Sequence, residues 1–286
     1  MRMFDATLDL ARYAQGVETH TISAVSSTYD KFACASLSAK LGEYTHGGTC
    51  WILSGDSEGK FREINNAHDN TIQVYERFED GLNVGDRVAL SWFHYFNTQN
   101  LINAINHVLY DYPILDIFET TIEEPVEEEV EEPMKYHHNV FEYKLPEDVT
   151  IDIRRVEIQS KNFHFPIPSH LPDTFTTCHY WHLNGRTLVI DPHWIYRWGG
   201  RMRIYYVRDH GAIIDPETEL ISEQVDRTYL RKMANLWLWS HEIQMKHKDN
   251  PIAVDMFNQA KMDEDALAKK NNPESNLMPK DITYFW

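Results

Sequence analysis

Apolar positions recur along this chain with two periods, and the points where the period changes mark its elements. Phe4, Leu8 and Ala11 share one helical face with Leu10 beside them, which predicts a short helix over Phe4–Tyr13. From Val17 to Ser91 the spacing shortens to two. Thr49–Leu53, Lys60–Ile64, Thr71–Tyr75 and Arg87–Ser91 read as strands, separated by Gly55-Asp56-Ser57-Glu58-Gly59, by Asn65-Asn66-Ala67-His68-Asp69-Asn70 and by a loop ending in Gly85-Asp86. Such strands and turns predict a small barrel or sandwich. Helical spacing returns over Thr98–Tyr110, where Leu101, Ile105, Val108 and Leu109 form a stripe, Asn97 or Thr98 caps the start and Pro113 stops the turn.

The stretch Glu119–Pro133 holds eight glutamates together with Pro125 and Pro133, a composition that supports no core and predicts a solvated loop or long hairpin. A second β unit spans Val140–Val207. Its strongest turn signal is Asn184-Gly185, read as a type I′ hairpin. Ser222–Lys248 is predicted to be a long helix with Val225, Tyr229, Met233, Leu236, Trp237 and Ile243 at core spacing. Asn250-Pro251 ends it, and Ile252–Lys270 forms a further helix with a thin apolar stripe at Phe257 and Leu267. The fold class expected is α+β: a helical bundle with an inserted antiparallel β unit, plus a separate small N-terminal β module. The expected domains are residues 1–92, a core of helices around a β unit at 93–250 with the acidic insert, and a C-terminal helix and tail at 251–286.

Composition narrows the function. An excess of 44 acids over 27 bases gives a net charge of −17, which repels phosphate backbones and argues against nucleic-acid wrapping by the whole chain. Cys34, Cys50 and Cys178 lie far apart and are read as reduced core thiols. Asp5 and Asp9 interrupt the first apolar run, and no stretch is long and apolar enough for a span, so the expectation is a soluble protein made in a cytosol with no membrane partner.

Chemistry is sparse. Gly55-Asp56-Ser57-Glu58-Gly59 matches the spacing of a nucleophile elbow, but a strand-like segment follows where a helix is required. His179 and His182 point to opposite faces of a strand, His137 and His138 diverge, and His241 and His247 are too far apart on a helix to share a metal. No phosphate-binding glycine motif occurs. The expectation is a protein with no enzyme activity, no metal and no cofactor. Arg201 and Arg203 alternate onto one strand face, near Arg154 and Arg155 in pattern, and form a possible DNA-channel or partner-facing basic face. A carbohydrate-binding module using Trp181, Trp194 and Trp198 as stacking platforms is the alternative from a different class.

One resemblance organises these features. The block G-G-T-C-W-I-L-S-G-D-S-E-G-K-F-R-E-I followed by V-G-D-R-V-A-L-S resembles a module of tailed-phage virion proteins. The helix L-I-N-A-I-N-H-V-L, then Y-K-L-P-E-D-V with R-V-E-I, L-N-G-R-T-L-V-I-D-P and R-I-Y-Y-V, resembles head-to-tail adaptor proteins, also called connectors. The likeness covers roughly Phe4–Lys248, and the acidic insert and the C-terminal extension depart from it. It implies a structural virion protein at the phage neck, made in the host cytoplasm: a dodecameric ring of this chain below the portal protein, touching tail or neck proteins, with DNA passing through the lumen without specific binding. A tail-tube or fibre-attachment neck protein is the alternative within the same particle. Leu101, Ile105, Tyr229, Met233 and Trp237 are the expected inter-subunit helix positions. Leu277, Met278, Ile282, Tyr284, Phe285 and Trp286 are the expected tail that docks on the portal or a neighbour.

Overall fold

The computed structural model describes residues 1–37, 47–92, 96–121, 134–137, 140–159, 175–190, 201–217, 219–245 and 250–268. Among these, the chain divides into two compact units, residues 1–112 with 210–268, and residues 113–209.

The first unit is built on seven antiparallel strands: β1 (Glu18–Thr21), β2 (Ala24–Val25), β3 (Lys31–Ala33), β4 (Gly48–Ile52), β5 (Phe61–His68), β6 (Thr71–Val74) and β7 (Arg87–Trp92). They lie in the order β1-β7-β4-β5-β6-β3-β2 and curl into a half-barrel. Its concave side holds a core that includes Phe32, Cys50, Ile52, Ile64, Phe78 and Leu90. Cys34 and Cys50 are buried thiols within it, and burial pushes the Cys34 thiol up to about 12. Four helices complete the unit: α1 (Met3–Ala14), α2 (Thr98–Tyr110), α3 (Arg227–Met245) and α4 (Pro251–Ala268). Every residue of β4 is buried because its two faces have different neighbours. Cys50 and Ile52 point into the curl, whereas Thr49 meets Thr98 of α2 (2.6 Å between hydroxyls) and the Trp51 indole N–H donates to Thr7 of α1 at 3.3 Å.

Glycine sets two close approaches here. Gly48 lies so near the Ser91 carbonyl of β7 that a Cβ would overlap it. Gly55, at φ +92°, lies against the Asp86 carboxylate, and Asp86 in turn accepts the Asn83 N–H at 2.8 Å. The Gly-Asp-Ser-Glu-Gly turn and the Gly-Asp-Arg segment, widely separated in sequence, are therefore one physical clasp.

The second unit has two four-stranded antiparallel sheets. Strands β8 (Pro113–Thr121), β11 (Ile153–Gln159), β12 (Phe175–Cys178) and β15 (Arg201–Asp209) form one in the order β12-β11-β15-β8. Strands β9 (Met134–His137), β10 (Val140–Lys144), β13 (Trp181–Asn184) and β14 (Thr187–Ile190) form the other in the order β13-β14-β10-β9. Both contribute to a single core, with Val156, Ile158, Met202 and Ile204 from the first and Tyr143, Leu188 and Ile190 from the second.

This architecture corrects the expected helical bundle with an inserted β unit: the chain is mostly sheet, a half-barrel and two further sheets with four helices among the described residues. An amphipathic stripe records that a helix covers something apolar and not what it covers. The α1 and α2 stripes cover the half-barrel as well as neighbouring helices. The expected type I′ turn is also reassigned. Asn184 pairs with Thr187, leaving Gly185-Arg186 as the turn, with positive φ at Gly185 alone of these, as in type II′. The type I′ geometry falls instead on Asp69-Asn70 (φ +47° and +63°), because β5 continues through the polar run to His68.

Candidate interaction surface

The residues of β15 alternate cleanly. Met202, Ile204 and Tyr206 enter the core, which leaves Arg201, Arg203 and Tyr205 on the outer face. Register then decides their company. On β8, Thr121, Glu119 and Ile117 stand opposite Arg201, Arg203 and Tyr205. On β11, Glu157 and Arg155 stand opposite Arg203 and Tyr205, and Thr177 of β12 stands opposite Glu157. The outcome is a sheet face on which charges sit in cross-strand neighbour positions.

The contacts form a network. Glu119 accepts from Arg203 Nε at 2.8 Å and from Arg201 at 3.2 Å. The Arg203 hydrogen bond, then that of Arg201, holds the Glu119 carboxyl below its ordinary range, and Glu119 in return raises Arg203. The Arg203 guanidinium also lies 3.7 Å from the centre of the Phe175 ring. One strand over, Glu157 is 5% exposed and accepts from Arg155 and from the Tyr205 hydroxyl (2.8 Å). Burial and then the hydrogen bond to Glu157 raise the Tyr205 phenol. Arg155 in turn packs over the Tyr205 ring at 5.5 Å. Three arginines are thus fixed in direction by carboxylates and aromatic rings, and Ile117 is 52% exposed beside them. Such a face is prearranged, which suits a partner with a matching pattern of charges. Both of its carboxylates, Glu119 and Glu157, are held in ion pairs with arginines.

The structure brings the expected Arg201 and Arg203 together, but around Glu119, so the face is a mixed ion-pair network and not simply basic. Glu119 was read as the start of the acidic loop. It ends up on β8 because Pro113–Thr121 alternates as a strand. Arg155 was expected near the two arginines, whereas Glu157, Tyr205 and Phe175 were missed as partners. Their alternation within R-R-V-E-I and R-M-R-I-Y-Y was a readable signal, but cross-strand register was not.

The expected helix positions lie elsewhere. Leu101 and Ile105 are covered within this chain, at 0% and 1% exposure. Tyr229 is half-buried, edge-on to Tyr112 at 5.6 Å, and Met233 and Trp237 are also half-buried. Trp237 stacks on His241 at 4.9 Å and lies near His107 at 5.5 Å. The expected docking tail, Leu277, Met278, Ile282, Tyr284, Phe285 and Trp286, lies outside the described residues, as do Trp194 and Trp198. Trp181 packs against the core of the second unit, so it is not an open stacking platform. The Ser57 hydroxyl is buried and donates to the Gly81 carbonyl at 2.7 Å, a turn-locking bond. Among the described residues no cluster of three or more His, Cys, Asp or Glu is placed to hold a metal, and no helix is long and apolar enough to cross a membrane. Comparison of the chain with protein-family models, curated proteins and solved structures returned no match.

Proposed function

We propose that this chain is a structural virion protein, a head-to-tail adaptor that adds as a ring below the portal and extends the DNA channel at the phage neck. The observation that carries this reading is the outer face of β12-β11-β15-β8, where Arg155, Arg203 and Arg201 are preset by Glu157, Glu119, Tyr205 and Phe175. Groups fixed before contact lose little freedom on binding, and paired charges of both signs select a partner's register more than they add raw affinity. A prearranged face of that kind fits a neighbour that is itself preformed, such as a portal or tail ring. The resemblance adds support from the first unit: its Gly-Gly-Thr-x-Trp strand, its Ser-Gly turn and its Gly-Asp-Arg strand form one clasped module. The C-terminal residues Leu277–Trp286 serve, in this reading, as a second attachment to the portal or to a neighbouring copy.

The test is electron microscopy of the purified protein alone and mixed with the portal ring of the same virion. Rings, or added density capping one end of the portal, are expected. Particles that stay small and leave the portal bare would overturn the reading. Deleting residues 276–286 should abolish capping while leaving the thermal melt nearly unchanged, and capping that survives the deletion would remove the tail from the account.

A further inference from the structure

Helix α4 is patterned the wrong way round for a core element. Its two fully covered positions are Ala253 and Ala260, at 0% and 1% exposure, whereas the larger Ile252 and Met262 are 60% and 68% exposed. Met256 and Phe257, one turn from those alanines, are half-buried. By contrast, α1 buries Met3, Phe4, Leu8 and Leu10, and α3 buries Leu230, Leu238 and Trp239. Alanine removes little apolar area from water, so burial holds α4 more weakly than it holds its neighbours. Polar contacts add a single residue. Asp263 accepts from the Tyr13 hydroxyl of α1 and pairs with Lys232 of α3 at 3.8 Å. Among the described residues no other α4 side chain makes a hydrogen bond or ion pair to another element.

The start of α4 is self-contained. Pro251 opens it, and the Asn250 side chain accepts the Ile252 N–H at 3.0 Å, so its cap comes from its own segment. We infer that α4 is a releasable arm: it lifts off α1 and α3 as a unit, with Asp263 as its catch, while the half-barrel and the other three helices stay folded. Local openings of this kind fall where few apolar contacts are lost. The chain after Ala268 follows this arm in sequence. Release lengthens its reach by up to the helix length, about 27 Å for 18 residues at about 1.5 Å each. The inference rests on the adaptor reading only for the use of that reach, which is to bring the C-terminal attachment to its partner. Its test needs the free chain alone, so either can fail without the other.

Amide hydrogen exchange on the full chain, read separately for α3 and α4, tests it. A lone helix of this length is marginal in water and frays within about a microsecond, so its amides exchange at each release. Those of α4 should exchange at least about tenfold faster than those of α3. Two variants then work the catch from different sides. Asp263→Ala removes the polar hold, and Ala260→Leu crowds the closest contact. Each should speed α4 by about a further tenfold and leave α3 and β4 as in the wild type. Exchange of α4 in step with α3 would overturn the inference, as would variants that speed α3 and β4 as much as α4. A fast α4 that neither variant changes would equally overturn it, because Asp263 and Ala260 would then not be what holds the arm.

Discussion

The two units of this molecule use their strands in opposite ways. In the half-barrel, β4 is buried on both faces: Cys50 and Ile52 face the curl, and Thr49 and Trp51 face α1 and α2. Every side chain there is occupied with holding the unit together. In the sheet β12-β11-β15-β8, one face enters the apolar core, and the other carries arginines, glutamates and rings bonded mainly to each other. The contrast separates stability from recognition. Substitutions in the first region should act on folding, and substitutions on the outer face of the second should act on partners.

The strongest break of that contrast lies in the half-barrel. Trp51→Ala empties a fully buried site and removes the indole bond to the Thr7 hydroxyl, which keeps its own bond to the Phe4 carbonyl, and it should cost about 4 kcal/mol in denaturant melts. Gly55→Ala comes next. At φ +92° and against the Asp86 carboxylate, a methyl group is strained by both backbone and space, and a loss of about 2 kcal/mol or more is expected. A loss near zero would mean that the clasp between the two glycine motifs does not hold the module.

Arg203→Glu on the sheet face should behave in the opposite way. The side chain is partly exposed and its pairing with Glu119 is screened, so setting a like charge opposite Glu119 should cost only about 1 kcal/mol of stability, well below the half-barrel changes. Portal affinity, measured by co-sedimentation, should fall at least about tenfold. An unstable variant would place this network in the fold and not in recognition.

The sequence was readable where local chemistry alone decides the outcome. The helix Thr98–Tyr110 has its expected bounds because Asn97 caps it, accepting the Asn100 N–H at 2.8 Å, and because the chain leaves helical geometry before Pro113. Position 69–70 was less readable. Its polar neighbours suggest a loop, yet Asp and Asn tolerate the left-handed region and support a tight turn. Strand β8 was obscured because Glu119 runs into a glutamate-rich stretch. The candidate surface was the least accessible part. Glu119 meets Arg201 and Arg203 across 82 and 84 residues of chain, and only strand register brings them together.

The smallest expected effect is at Tyr13 in the first unit. Burial, then its hydrogen bond to Asp263 of α4, push the phenol up to about 12 from 10.0. A raised folded value favours the protonated phenol, so its contribution is complete below pH 10.0 and fades as pH rises toward 12. The difference in melting midpoint between the wild type and Tyr13→Phe should therefore shrink over that window. A difference that holds constant through it would place the hydrogen bond outside the balance that joins α1 to α4.

The central claim is that the outer face of the second unit is where this protein meets its neighbour. Amide hydrogen exchange on the free chain and on the chain bound to the portal ring tests it most directly. The account predicts slowed exchange in β8 and β15 on binding, with β4 to β7 unchanged. Slowing confined to the half-barrel, with β8 and β15 exchanging as in the free protein, would contradict it.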